Sequence, residues 1–168
     1  MARKPAKQRS RKPAGRPGRK TAPNSPSAMH APSVADLARA VERLAPAQIA
    51  AEWDNVGLLL GMPTWPAQRC LIALDLTDDV ASEAIASGAN AVIVYHPPIF
   101  KGLKRVTNRS EGPTRQLAAL LAARISVLAL HTAFDAVPGG TNDVLLDAFD
   151  PVERWPLQAL GVLAELER

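Results

Sequence analysis

The chain has 168 residues, of which 47% are hydrophobic, 21% charged and only 4% aromatic. That is a globular balance for a chain of one ordinary domain; it excludes collagen, a wholly disordered chain and a disulfide scaffold, and it leaves the core to Ala, Val, Leu and Ile. The formal charge of +4 is unevenly placed: residues 1–20 hold nine of the 20 Lys and Arg, and from residue 21 onward 11 basic residues face 16 acidic ones, leaving −5.

Residues 1–32 hold six of the 15 prolines, no acidic residue, and no large apolar side chain except Met1 and Met29. Such a segment buries too little surface to offset its ordering entropy, so 1–32 reads as a disordered, basic, Pro-rich tail. The blocks Arg9-Ser10-Arg11-Lys12 and Gly15-Arg16-Pro17-Gly18-Arg19-Lys20 carry charge suited to phosphates. The Gly-Arg-Pro core is similar to a minor-groove AT-hook, with Ala14 at a position usually basic in that motif. Two readings stay open for the tail: a solubilising segment, or a contact to nucleic acid. No apolar h-region follows the basic residues and no run of 18 apolar residues exists, so neither a secretory signal nor a membrane helix is expected. The lone cysteine, Cys70, cannot form an internal disulfide; beside Leu71-Ile72-Ala73-Leu74 it reads as a small core hydrophobe, and a reducing, cytoplasmic compartment is expected.

Residues 33–168 read as an α/β domain. Ser33 with Asp36 makes a capping box before Val34, Leu37, Val41 and Leu44, so a helix is predicted over 34–44. Val56–Leu60 reads as a strand between glycines. Cys70–Leu74 is an apolar strand, and Thr77 caps a helix that Gly88 stops. Ala91–Val94 is a buried strand, Thr114–Arg124 a helix, Ile125–Leu130 a strand and Asn142–Phe149 a short helix; Leu157–Leu166 is helix-compatible. Continuous apolar strands alternating with helices predict a parallel or mixed sheet with helices on both faces.

Three of these strands end in polar residues: Asp75, then Tyr95-His96, then His131 with Asp135 four residues on. Ligands of open parallel sheets bind outside the carboxyl ends of the strands. Two of the chain's three histidines fall at such ends, and with Asp135 they suit a divalent ion such as Zn, Mn, Fe or Ni, although a single such His also serves as a structural hydrogen-bonder. A phosphate loop and a nucleophile elbow are both absent from the sequence. Lys101, Lys104 and Arg105 read either as a solvated loop or as an electropositive lip for an anionic substrate.

The segments Glu52-Trp53-Asp54-Asn55-Val56-Gly57-Leu58, Tyr95-His96-Pro97-Pro98-Ile99-Phe100-Lys101, His131-Thr132-Ala133-Phe134-Asp135-Ala136 and Gly139-Gly140-Thr141-Asn142-Asp143 resemble the Nif-three-like family, also labelled GTP cyclohydrolase 1 type 2 homolog. The resemblance runs from about Ser33 to Asp147. It implies an α/β fold, a dinuclear metal centre, a ring-like homo-oligomer and a metal-dependent hydrolase of unsettled substrate. It carries His96 and Asp135 over as metal ligands, with His131 orienting the site. Tyr95 replaces the first His of the family's His-His-Pro motif, and no His follows His131, so the family's His-x-x-x-Glu motif has no counterpart here. The chain thus reads as a shortened member, and three functions follow. One is a metal-dependent hydrolase for a nucleotide-like or phosphate-bearing small molecule, impaired by the missing ligands. The others are a non-catalytic metal- or partner-binding protein whose tail contacts nucleic acid, and an inactive remnant. Self-association is expected in each case.

Overall fold

A computed structural model describes residues 31–108, 112–157 and 161–165. The predicted tail lies almost wholly outside the described residues. Its last predicted member, Pro32, is within them, and its carbonyl accepts the Ala67 N–H at 2.8 Å.

Helix α1 (Val34–Leu44) has the predicted bounds because its start is locally encoded: Ser33 Oγ accepts from the Asp36 N–H while Asp36 Oδ2 accepts from the Ser33 N–H at 2.9 Å. Strands β1 (Gly57–Leu60), β2 (Cys70–Ala73), β3 (Ala91–Val94) and β4 (Ser126–Ala129) form one sheet in the order β1-β4-β3-β2. β2, β3 and β4 run parallel and β1 runs antiparallel to β4, so the sheet is mixed. Helix α2 (Asp78–Ala86) is capped by Thr77, whose Oγ1 accepts from the Val80 N–H at 3.2 Å; helix α3 (Pro113–Ala122) starts on a proline.

Helices cover both faces of the sheet. Ala81 and Ala84 of α2 and Leu120 of α3 pack on Val92, Val94, Val127 and Ala129. On the opposite face Val41 of α1 packs on Ala91 and Leu128. The central strands are apolar throughout because both their faces are buried. At the end of β1, Gly61 has φ +107° and lies so close to β4 that a Cβ there would collide with Ser126 Oγ.

Three local readings change. Cys70 is exposed, not in the core, because α1 does not extend over β2. His131–Asp135 forms a short helix, α4, directly after β4, and α5 follows at Thr141–Asp147. Of the helix-compatible stretch 157–166, the described residues Leu157 and Gly161–Glu165 are strand instead: β5 (Glu153–Leu157) pairs antiparallel with β6 (Gly161–Glu165), from Glu153–Glu165 to Leu157–Gly161. Gly161 weakens a helix there by about 1 kcal/mol, and the extended pairing satisfies the backbone in its place. Arg154 ties β5 to α5, reaching Asp147 at 2.5 Å and Asp143 at 3.5 Å.

Candidate metal and phosphate site

The parallel strands deliver Asp75, Tyr95-His96 and His131 to one edge of the sheet. The antiparallel β1 adds a fourth element to that edge, since Gly57 pairs with Ala129 and the residues preceding Gly57 lie beside the end of β4. Trp53, Asp54 and Asn55 enter the site in this way. Asn55 Nδ2 fastens the loop by donating to the Ile99 carbonyl at 2.6 Å.

His131 has φ +32°, a conformation that costs a non-glycine residue of the order of 1–3 kcal/mol. Two hydrogen bonds hold it there. Its N–H donates to the Tyr95 carbonyl at 3.0 Å, and its Nδ1 lies 2.9 Å from Asp54 Oδ1. The Asp54 side chain is wholly shielded from solvent. Its second oxygen accepts from the Thr132 N–H at 3.1 Å and from the Thr132 hydroxyl. Burial alone would raise the Asp54 pKa, but the hydrogen bonds from Thr132, His131 and the Asn55 and Thr132 backbone outweigh it and hold the carboxyl below its ordinary value. An ionised carboxylate only accepts, so His131 Nδ1 carries a proton and Nε2 is left as its second ring nitrogen.

His96 has the same backing in a more open setting: its Nδ1 lies 2.8 Å from Asp75 Oδ1. The two imidazoles stand 5.6 Å apart, centroid to centroid, and Tyr95 packs edge-on against both, at 4.8 Å from His96 and 5.5 Å from His131. The Tyr95 hydroxyl donates to Asp135 Oδ1 at 2.6 Å. Burial first, then the Asp135 hydrogen bond and charge, push the Tyr95 phenol up to about 12, so it stays a donor at neutral pH. Tyr95, at the position of an imidazole in the motif, thus fastens one predicted ligand, Asp135, and packs beside the other, His96. Trp53 and Phe100, both exposed, flank His131 at 6.0 and 6.4 Å.

Carboxylate-backed imidazoles are the usual form of metal-bound histidine, because the partner on Nδ1 fixes the ring and its tautomer. By chemistry, the donors fit a divalent ion. By number they form a partial seat: among the described residues no three His, Cys, Asp or Glu side chains are grouped to hold one, and tight zinc sites use three or four protein ligands. The residues that reasoning from the sequence missed are Asp54 and Thr132. Asp54 lies inside a recognised motif, but its partners His131 and Thr132 are 77 and 78 residues away, a pairing no local pattern reveals.

A family model described as Duf34/NIF3 (NGG1p interacting factor 3) matches residues 32–168. The chain belongs to the Duf34/NIF3 family. Among Duf34/NIF3 relatives it is 41% identical over 127 residues to NIF3-like protein 1 of Drosophila melanogaster, covering 74% of this chain and 43% of that one. It is 33% identical over 135 residues to a GTP cyclohydrolase 1 type 2 homolog of Bacillus subtilis, covering 75% and 36%. Its fold matches that of Staphylococcus aureus hypothetical protein SA1388 with a TM-score of 0.70, 35% identity, and coverage of 76% of this chain and 36% of that one. Reduced HcgD from Methanocaldococcus jannaschii matches with a TM-score of 0.69 and 25% identity, covering 77% and 51%. The chain therefore spans about a third to a half of the length of these relatives.

Proposed function

We propose that this Duf34/NIF3 chain holds a divalent ion weakly, between His96 and Asp135, and serves hydrolysis of a phosphate-bearing small molecule. The observation that supports this most directly is the pair of carboxylate-backed imidazoles beside Asp135 at the carboxyl edge of the sheet. An ion held there would polarise a phosphoryl or carbonyl oxygen and lower the pKa of a water toward neutrality. The protein's own residues do the rest. Asp75 sets the His96 ring, and Tyr95 fixes the Asp135 carboxylate. Asp54 keeps the proton of His131 on Nδ1, so Nε2 is the nitrogen that takes or gives a proton. Lys101, Lys104 and Arg105 are exposed just past Phe100 and make no ion pair among the described residues, which leaves their charge for a phosphate. No helix of the described residues is long and apolar enough to cross a membrane.

Calorimetric titration of the chain with Mn²⁺ or Zn²⁺ tests this reading. Weak binding, well under one ion per chain after dialysis, should be lost in His96→Ala and in Asp135→Ala. Metal binding unaffected by both substitutions would overturn the site. Binding that depends on both, with no hydrolysis of any phosphate ester offered, would favour the non-catalytic alternative.

A further inference from the structure

Helices α2 and α3 pack on the same face of the sheet, and an open cavity of about 330 Å³ lies between them. That is the lower end of the size range of small-molecule sites, roughly 300–1,000 Å³. From α2 the cavity takes Asp78, Ala81 and Ile85, whose spacing sets them on one side of the helix. From α3 it takes Arg115, Gln116 and Ala119. Ala81 and Ala119 are too short to fill the space between the helices, and Ile85, 44% exposed, supplies an apolar wall.

The polar end of the cavity is tightly organised. Asp78 Oδ1 accepts from Gln116 Nε2 at 2.6 Å, and Asp78 Oδ2 accepts from Arg115 Nη2. These bonds fix the amide: turned over, Gln116 would set its oxygen against a carboxylate, acceptor to acceptor. Gln116 is only 8% exposed, and in this orientation its Oε1 has no hydrogen-bond partner. A buried acceptor left unpaired is costly, and native structures keep few of them. Beside it, Asp78 and Arg115 are each about half exposed and retain unused capacity, the carboxylate as an acceptor and the guanidinium as a donor.

The ligand that answers all three groups carries two charges of its own. A cation alone would meet Asp78 and Gln116 Oε1 but stand against Arg115. An anion alone would meet Arg115, stand against Asp78 and leave the amide oxygen unpaired. A zwitterion with its charges on neighbouring groups meets all three: its ammonium donates to Gln116 Oε1 and Asp78, and its carboxylate accepts from Arg115. The apolar remainder of the molecule falls to Ala81, Ile85 and Ala119. We propose that the cavity between α2 and α3 binds a free α-amino acid with an aliphatic side chain. The proposal shares no residue with the metal and phosphate site and stands without the reading of that site.

L-Leucine is the probe, titrated into the full 168-residue chain. Saturation-transfer NMR on the ligand reports binding, and the side-chain amide of Gln116 in ¹H–¹⁵N spectra reports its place. Leucine should bind saturably and shift the Gln116 amide. Isocaproate, which lacks the ammonium, and isoamylamine, which lacks the carboxylate, should each bind about tenfold more weakly, because each forfeits a hydrogen bond between charged groups. Arg115→Gln should remove the advantage of leucine over isoamylamine, at the cost of only an exposed ion pair. Gln116→Leu should abolish leucine binding; should that variant fail to fold, Ala119→Leu, which fills the cavity, carries the same test. No saturable binding of leucine, equal binding of the three compounds, or leucine binding kept in a folded Gln116→Leu or Ala119→Leu chain would overturn the proposal.

Discussion

His131 Nδ1 lies 2.9 Å from Asp54 Oδ1, joining the loop before β1 to the first residue of α4. Asp54 is shielded from solvent and accepts from the His131 ring and from both the N–H and the hydroxyl of Thr132. Asp54→Ala leaves these donors without an acceptor. It should destabilise the fold by about 2–3 kcal/mol, the usual cost of orphaning buried polar groups that met a charge. The hydrogen-bonded Nδ1 proton of His131 should also disappear from the NMR spectrum. Because the Asp54 pKa is depressed in the folded chain, its contribution is present above the ordinary carboxylate range and is lost as the pH falls below it. Denaturant melts of Asp54→Ala indistinguishable from the parent would remove Asp54 from this role.

Tyr95 is the chain's only tyrosine, so phenolate absorbance reports on it alone. Its titration in the folded protein should be centred near 12, and Asp135→Asn should bring the midpoint down by removing the adjacent negative charge. The raised value means that the folded state resists deprotonation. The associated stability is complete below about 10, the value for an ordinary tyrosine, and fades as the pH rises toward 12. A midpoint near 10 in the folded chain would show that the hydroxyl does not sit against Asp135.

The legible parts of the sequence were those with local causes. Ser33 with Asp36, Thr77 and Pro113 mark helix starts within a turn of the residues they act on, and buried strands such as Ala91–Val94 announce themselves by composition. The strand-end positions of His96 and His131 followed from the same elements. What escaped depends on distant chain. The direction of β1 is set by its pairing with β4, and the role of Asp54 by His131 and Thr132, 77 and 78 residues further along the chain. The exposure of Cys70 follows from where α1 ends across the sheet, which an apolar tetrapeptide does not encode. The strands at 153–157 and 161–165 escaped because each needs the other: alone, Leu157–Leu166 has spacing that a helix tolerates.

The charge asymmetry gives a separable expectation. Residues 1–30 contain nine of the 20 basic residues and none of the acidic ones. Removing them should leave the thermal midpoint of residues 31–168 nearly unchanged, as that segment brings no large apolar side chain except its two methionines. Any affinity of the full chain for DNA should fall steeply with salt, through counterion release, and vanish in the shortened chain, whose net charge is −5. Electrophoretic mobility shifts over a salt series would decide it; affinity retained by the shortened chain would place the contact elsewhere.

The start of α1 offers a pH test remote from the site. The Ser33 hydroxyl and N–H, together with Arg39 at 2.5 Å, stabilise the ionised Asp36 carboxylate and bring its pKa down to about 2, below the ordinary value of 3.8. A depressed acid stabilises the fold above its unfolded value and ceases to do so as the pH falls through the folded one, so the contribution should drain away between about pH 4 and pH 2. Ser33→Ala removes the cap itself and should cost about 1 kcal/mol at neutral pH. Asp36→Asn should flatten the acid limb of the stability curve while leaving its shape near neutrality intact. Measured as denaturant midpoints from pH 7 to pH 2, parallel acid limbs in the parent and in Asp36→Asn would mean that the capping box does not carry this titration.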